Sequence, residues 1–91
     1  MEIINVHLGK TVRDKDEVEF TLFHERRSVR FKCTRTDYDW NVYYYAVEEN
    51  NWLPKIGKFK DIIKQETGYI LLTTRHQFIE EIWKNNQLNQ Q

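Results

Sequence analysis

Cysteine, proline and glycine are scarce in this chain, and long apolar runs are missing altogether. The one cysteine, Cys33, excludes an internal disulfide and with it the disulfide-stapled mini-proteins of secreted origin. Its phase beside Val29 and Phe31 makes it a small buried hydrophobe. Gly9, Gly57 and Gly68 stand apart, so no glycine-rich phosphate cradle can be assembled. No apolar run approaches the roughly 20 residues of a spanning helix. Met1 to Leu8 is interrupted by Glu2, Asn5 and His7, unlike a signal peptide. Net charge is absent too: fourteen bases balance fourteen acids, so affinity for an anionic polymer has to come from local arrangement. These absences lead us to expect a soluble, cytoplasmic protein that touches no membrane and carries neither metal nor cofactor.

What is present is a chain of 91 residues, 40% hydrophobic, with three Trp, five Tyr and five Phe. That is room for one hydrophobic core, which we place in a single domain over 1–84, with 85–91 as a flexible polar tail. Ile4, Val6 and Leu8 alternate with polar residues, as do Val18, Phe20 and Leu22, then Val29, Phe31 and Cys33. A period of two marks half-buried strands, and the polar corners at Glu25–Ser28 and Thr36–Asp39 mark hairpins. Coincidence of apolar faces then sets the register. Pairing His24 with Val29 places Leu22 opposite Phe31 and Phe20 opposite Cys33. A turn centred on Asp37 and Tyr38 places Phe31 opposite Tyr44, Cys33 opposite Val42 and Val29 opposite Ala46. The other face then carries Arg30 beside Tyr45 and Lys32 beside Tyr43, with Glu19, Thr21 and Phe23 on the next strand.

Pro54 reads as a first-turn residue, and Ile56, Phe59, Ile62 and Ile63 fall at helical spacing, which predicts a helix from about Pro54 to Glu66 with Gly68 as its stop. Tyr69–Leu72 reads as a last strand. Thr74 and Gln77 have the spacing of a capping box, ahead of a helix striped by Phe78, Ile79, Ile82 and Trp83. The expected fold is α+β: an antiparallel sheet of four to five strands in the order ββββαβα, with two helices packed on one face.

Nothing in this pattern assembles a catalytic set. His7, His24 and His76 lie on three different elements, and His24 stands about 13 Å from Cys33 in the expected register, too far for a thiol and its base. Glu48 and Glu49, like Glu80 and Glu81, are sequence neighbours and point apart, and Asp37 and Asp39 bracket a corner, so all six read as solvated charges. Lys55, Lys58, Lys60 and Lys64 read as the solvated side of a helix.

The candidate site is instead the acid-free basic stretch Arg26, Arg27, Arg30, Lys32 and Arg35 together with the rings of Phe23, Trp40, Tyr43 and Tyr45. Rings beside cations can anchor a protein partner inside an arginine rim. They can also stack the bases of a single-stranded nucleic acid while the cations follow its phosphates. A third possibility is a sheet surface satisfied by its own cross-strand pairs, such as Glu19 diagonal to Lys32.

The segment Gly68-Tyr69-Ile70-Leu71-Leu72-Thr73-Thr74-Arg75-His76-Gln77-Phe78-Ile79-Glu80-Glu81-Ile82-Trp83 loosely resembles the final strand and helix of the single-stranded-DNA-binding transcriptional-coactivator family. The chain departs from that family by a helix around Ile56 to Ile63, and no binding residue is transferred. The balanced total charge slightly favours a protein partner and the local charge favours nucleic acid; the leading expectation is a small non-catalytic protein-binding regulator or inhibitor, of the compact kind encoded by phages and other mobile elements. A homo-oligomer formed through a sheet edge or the aromatic face belongs to the same expectation. A single-stranded nucleic-acid module stacking bases on Tyr43 and Tyr45 is the alternative, and an unrecognised enzyme comes third.

Overall fold

The computed structural model describes residues 1–89. Strands β1 (Glu2–Lys10), β2 (Asp16–His24), β3 (Arg27–Arg35), β4 (Trp40–Ala46) and β5 (Asn51–Pro54) form one antiparallel sheet in sequence order. Helices α1 (Phe59–Thr67) and α2 (Arg75–Asn89) follow it. The class is the expected α+β, but the order is five strands and then two helices, with one 3-10 turn at Val47–Glu49.

The β2–β3 register is two residues tighter than the polar corner suggested. His24 faces Arg27, Leu22 faces Val29, Phe20 faces Phe31 and Val18 faces Cys33. Only Glu25 and Arg26 remain in the turn, with φ of 49° and 68°. Two successive positive φ values match the twist of a two-residue hairpin but strain residues with a Cβ. Glu25→Asn with Arg26→Gly is therefore expected to raise stability by about 1 kcal/mol. Urea denaturation checks it, and an unchanged midpoint would mean the turn stores no strain.

The β3–β4 hairpin has the expected register, with Phe31 opposite Tyr44, Lys32 opposite Tyr43 and Cys33 opposite Val42. Its ladder runs from Arg35 and Trp40 only as far as Phe31 and Tyr44, so Val29 does not pair with Ala46 as the alternation implied. In β1 the register shifts between Ile4 and His7, where Asn5 has φ 55°. This bulge inserts a residue, so Ile3, Val6 and Leu8 pack on the core while Ile4 turns to the other face.

Pro54 ends β5 and does not open a helix, since its missing N–H suits an edge strand equally well. Gly57 (φ 90°) precedes α1, which starts at Phe59 and stops at Gly68, whose φ of 78° supplies the left-handed cap. Tyr69–Leu72 is not a strand: Leu71 is buried while Ile70 and Leu72 stay exposed. The capping box forms as expected, with the Gln77 N–H donating to Thr74 Oγ1 at 3.1 Å and the Thr74 N–H to Gln77 Oε1 at 3.2 Å. Helix α2 runs through Asn89, so 85–89 are helical where a tail was expected; Gln90 and Gln91 lie outside the described residues.

One sheet face and both helices enclose the core, α1 against β3 and β2 and α2 against β1. Phe20, Phe31, Phe59 and Phe78 form its centre, with ring centroids 4.8 to 6.0 Å apart in tilted and edge-on pairs. Such pairs add to the large apolar area that each ring removes from water. Cys33 has no solvent exposure, and burial pushes its thiol pKa well up, so it packs and does not react.

Candidate binding face

Strand alternation sends every second side chain away from the helices, and the registers set these into rows. One row holds Pro54, Tyr43, Lys32, Glu19 and His7; the next holds Trp52, Tyr45, Thr21 and Ile4, with Arg30 opposite Thr21. Among the described residues, neither helix lies on this side of the sheet. The rings of Tyr43, Tyr45 and Trp52 are nonetheless half-buried, and cations lie over the latter two.

The centre of the face is a ring pair with two cations. Tyr45 and Trp52 meet edge to face, with centroids 5.3 Å apart. The Arg30 guanidinium carbon lies 4.8 Å from the Tyr45 centroid and 5.1 Å from that of Trp52, and Lys32 Nζ lies 4.6 Å from the Trp52 ring. Each ring quadrupole attracts a positive charge at such distances, by about 0.5–1 kcal/mol where exposed. Arg30 also donates to Glu19 Oε1 at 2.8 Å, and the Tyr45 hydroxyl donates to Asn50 Oδ1. Lys32, expected to pair diagonally with Glu19, stands directly opposite it while Arg30 takes the ion pair.

Of the expected site residues, Arg30, Lys32, Tyr43 and Tyr45 come together. Phe23 shares their face and is 37% exposed, but it sits toward the hairpin end of β2, opposite Ser28 and Glu2. Arg26 occupies the β2–β3 turn, outside the ladder. Arg27 has the phase of Val29 and faces the helices, where its guanidinium donates to the Gln65 carbonyl near the end of α1. A cation there also complements the negative end of the helix dipole.

Arg35 and Trp40 leave the candidate site altogether. Both lie on the core side, in phase with Cys33 and Val42, and Trp40 is 2% exposed. The Arg35 guanidinium stacks between the Trp40 and Trp83 rings, at 4.3 and 4.7 Å, and binds Asp16 Oδ2 at 2.8 Å together with Glu80. Trp40 Nε1–H donates to Glu80 as well, at 3.1 Å. Glu80 is thus a half-buried structural acceptor, where a solvated charge was expected. Trp52 is the residue that sequence reasoning passed over. Its signal was the left-handed turn residue Asn50, which returns the chain so that Trp52 pairs with Tyr45.

The three histidines stay apart, as their elements implied. His7 faces Glu19, His24 packs edge-on against Tyr69, and His76 lies 3.3 Å from Asp39. The corrected register puts His24 six residue steps along β2 from the partner of Cys33, roughly 20 Å at 3.3 Å per step. No three His, Cys, Asp or Glu side chains cluster with metal-holding geometry among the described residues, and no helix there is long and apolar enough to cross a membrane. Asp39 is more than a corner charge: it accepts from Arg75 and His76 at the start of α2. No protein-family model, curated protein or solved structure matches the chain.

Proposed function

We propose that this chain is a small non-catalytic binding protein whose helix-free sheet face docks a protein partner, and that it acts on that partner as a regulator or inhibitor. The observation that carries the reading is the Tyr45–Trp52 pair, half-buried under Arg30 and Lys32 on a face that no other described element covers. Trp, Tyr and Arg are the residues whose truncation most often costs an interface 2 kcal/mol or more. Here all three are held in place by one another before any partner arrives, which lowers the ordering cost of association.

Charge placement separates this reading from nucleic-acid binding. Of the five-cation stretch only Arg30 and Lys32 belong to the face; Arg27 and Arg35 are tied to the helices. Glu2 and Glu17 share the face on β1 and β2, where a phosphate backbone crossing the sheet would meet repulsion. A base stacking on Tyr45 or Trp52 would also have to displace a cation already seated there.

The test is Tyr45→Ala with Trp52→Ala, compared with the parent chain in affinity capture from its source lysate. Capture of the partner is expected to fall by more than about tenfold, while unfolding free energy falls by no more than about 1–2 kcal/mol for two half-buried residues. Retained capture removes the face from the interface. Quenching of tryptophan emission by an oligothymidylate, weakening as salt rises, would replace the protein partner with single-stranded nucleic acid.

A further inference from the structure

We propose that the cleft between the diverging ends of β3 and β4 receives an extended, lysine- or arginine-bearing segment of a protein partner, which adds to the sheet beside Ser28. This rests on the protein-binding reading above and names the chemistry of the partner.

A gap inside the sheet is the first support. Strand β3 is paired with β2 back to Arg27, and β4 with β5 out to Ala46, yet the ladder between β3 and β4 ends at Phe31 and Tyr44. Beyond that pair the chain leaves β4 through the 3-10 turn and a cleft of about 480 Å³ opens. In a two-residue hairpin closed by His24 and Arg27, backbone groups of the odd residues of β3 point to β2 and those of the even residues point to β4. Lys32 and Thr34 meet Tyr43 and Asn41 in that way. Ser28 has the same phase and no strand opposite it, so its N–H and C=O face the cleft as a short free edge. Free edges are where extended peptides add by main-chain hydrogen bonding.

Side-chain chemistry around the cleft supplies the second support. Val29, Tyr44 and Leu53 provide apolar lining, and Glu48, Glu49 and Glu66 stand at the rim. Those three glutamates make no ion pair among the described residues, and the one cation in the lining, Arg30, is held by Glu19 at 2.8 Å. The rim is therefore negative and unneutralised. Basic side chains on alternate residues of an added strand satisfy it, whereas an acidic segment or a nucleic-acid backbone is repelled.

The experiment uses the full chain and three capped pentapeptides: Lys-Val-Lys-Val-Lys, Glu-Val-Glu-Val-Glu, and the lysine peptide methylated on alternate backbone nitrogens. The lysine peptide is expected to slow hydrogen exchange of the Ser28 amide by about tenfold or more, with the other two giving no protection. Glu48→Lys with Glu49→Lys should transfer the preference to the glutamate peptide. Ser28→Pro removes a donor that β2 does not use, so peptide protection should vanish with an unchanged melting curve. If that variant fails to fold, the exchange result on the parent chain still decides. Equal protection by lysine and glutamate peptides, or none by either, overturns the proposal. Should that happen while the Tyr45 and Trp52 double variant still loses its partner, the protein-binding reading stands and its seat is the sheet face alone.

Discussion

Phe31→Ala is expected to lower the unfolding free energy by about 3–5 kcal/mol, the largest effect of any single substitution considered. Phe31 has no solvent exposure and stands in the central strand, with Phe20 opposite on one side, Tyr44 on the other and Phe59 of α1 above at 4.8 Å. Both flanking strands pin the β3 backbone at this point, so the cavity left by the ring has little room to collapse. A domain of this size holds about 5–15 kcal/mol in all, so the variant should sit near the limit of folding. Urea denaturation should show a large fall in midpoint at constant slope. Phe31→Leu, which keeps most of the volume, should cost far less, and a loss for alanine below about 1 kcal/mol would mean the core repacks around the gap.

Arg35→Ala comes next, with an expected loss of about 2–3 kcal/mol. The figure sits below that for a fully buried pair because the side chain retains 28% exposure. The change leaves the Asp16 and Glu80 carboxylates, 18% and 16% exposed, without their shared cation, and strips the filling from between two indoles. Arg35→Lys should recover only a part, since an ammonium cannot fork to both carboxylates while lying flat on Trp40 and Trp83. Full recovery by lysine would show that charge alone mattered.

Acid should expose the same network. The hydrogen bond from Lys10, followed by that from Arg35, holds the Asp16 carboxyl below its usual range against the upward push of burial. At Asp39 burial pushes upward most strongly, yet Arg75, the Trp40 N–H and His76 together bring the carboxyl below its ordinary value. A carboxyl with a depressed folded pKa stabilises fully above its unfolded pKa, about 3.9, and loses that stability as pH falls through the folded value. Stability from these two groups should therefore be level down to about pH 4 and decline below it, less steeply in Arg35→Ala, where Asp16 has lost one of its partners.

Period-two alternation made β2, β3 and β4 legible, and the β3–β4 register followed from the same rule. The β2–β3 register did not, because Arg27 and Ser28 look like turn residues and the energy that extends a ladder to a two-residue turn leaves no mark on composition. The bulge at Asn5 was hidden for a similar reason: Ile3-Ile4 offers two apolar residues, and only the partner strand decides which faces inward. Pro54 and Tyr69–Leu72 failed through ambiguity, as proline suits a helix start and an edge strand alike, and four apolar residues carry no period. Arg35 and Trp40 could have been read correctly. They are two residues from Cys33 and Val42, on the face those residues bury, and their cationic and aromatic character outweighed that phase.

The meander has a temporal meaning for a chain made from its N-terminus. All five strands are in hand once Pro54 has emerged, yet the residues that roof their apolar face, Phe59, Ile63, Phe78 and Ile79, are synthesised afterwards. A growing chain thus passes through a stage in which its sheet can form but has nothing to cover Phe20 and Phe31. Interrupted synthesis just past β5 would release a product with that greasy surface open to others of its kind, the type of species that aggregates. Completion of α1 and α2 closes this vulnerable interval, and the last helix to appear is the one that shuts it.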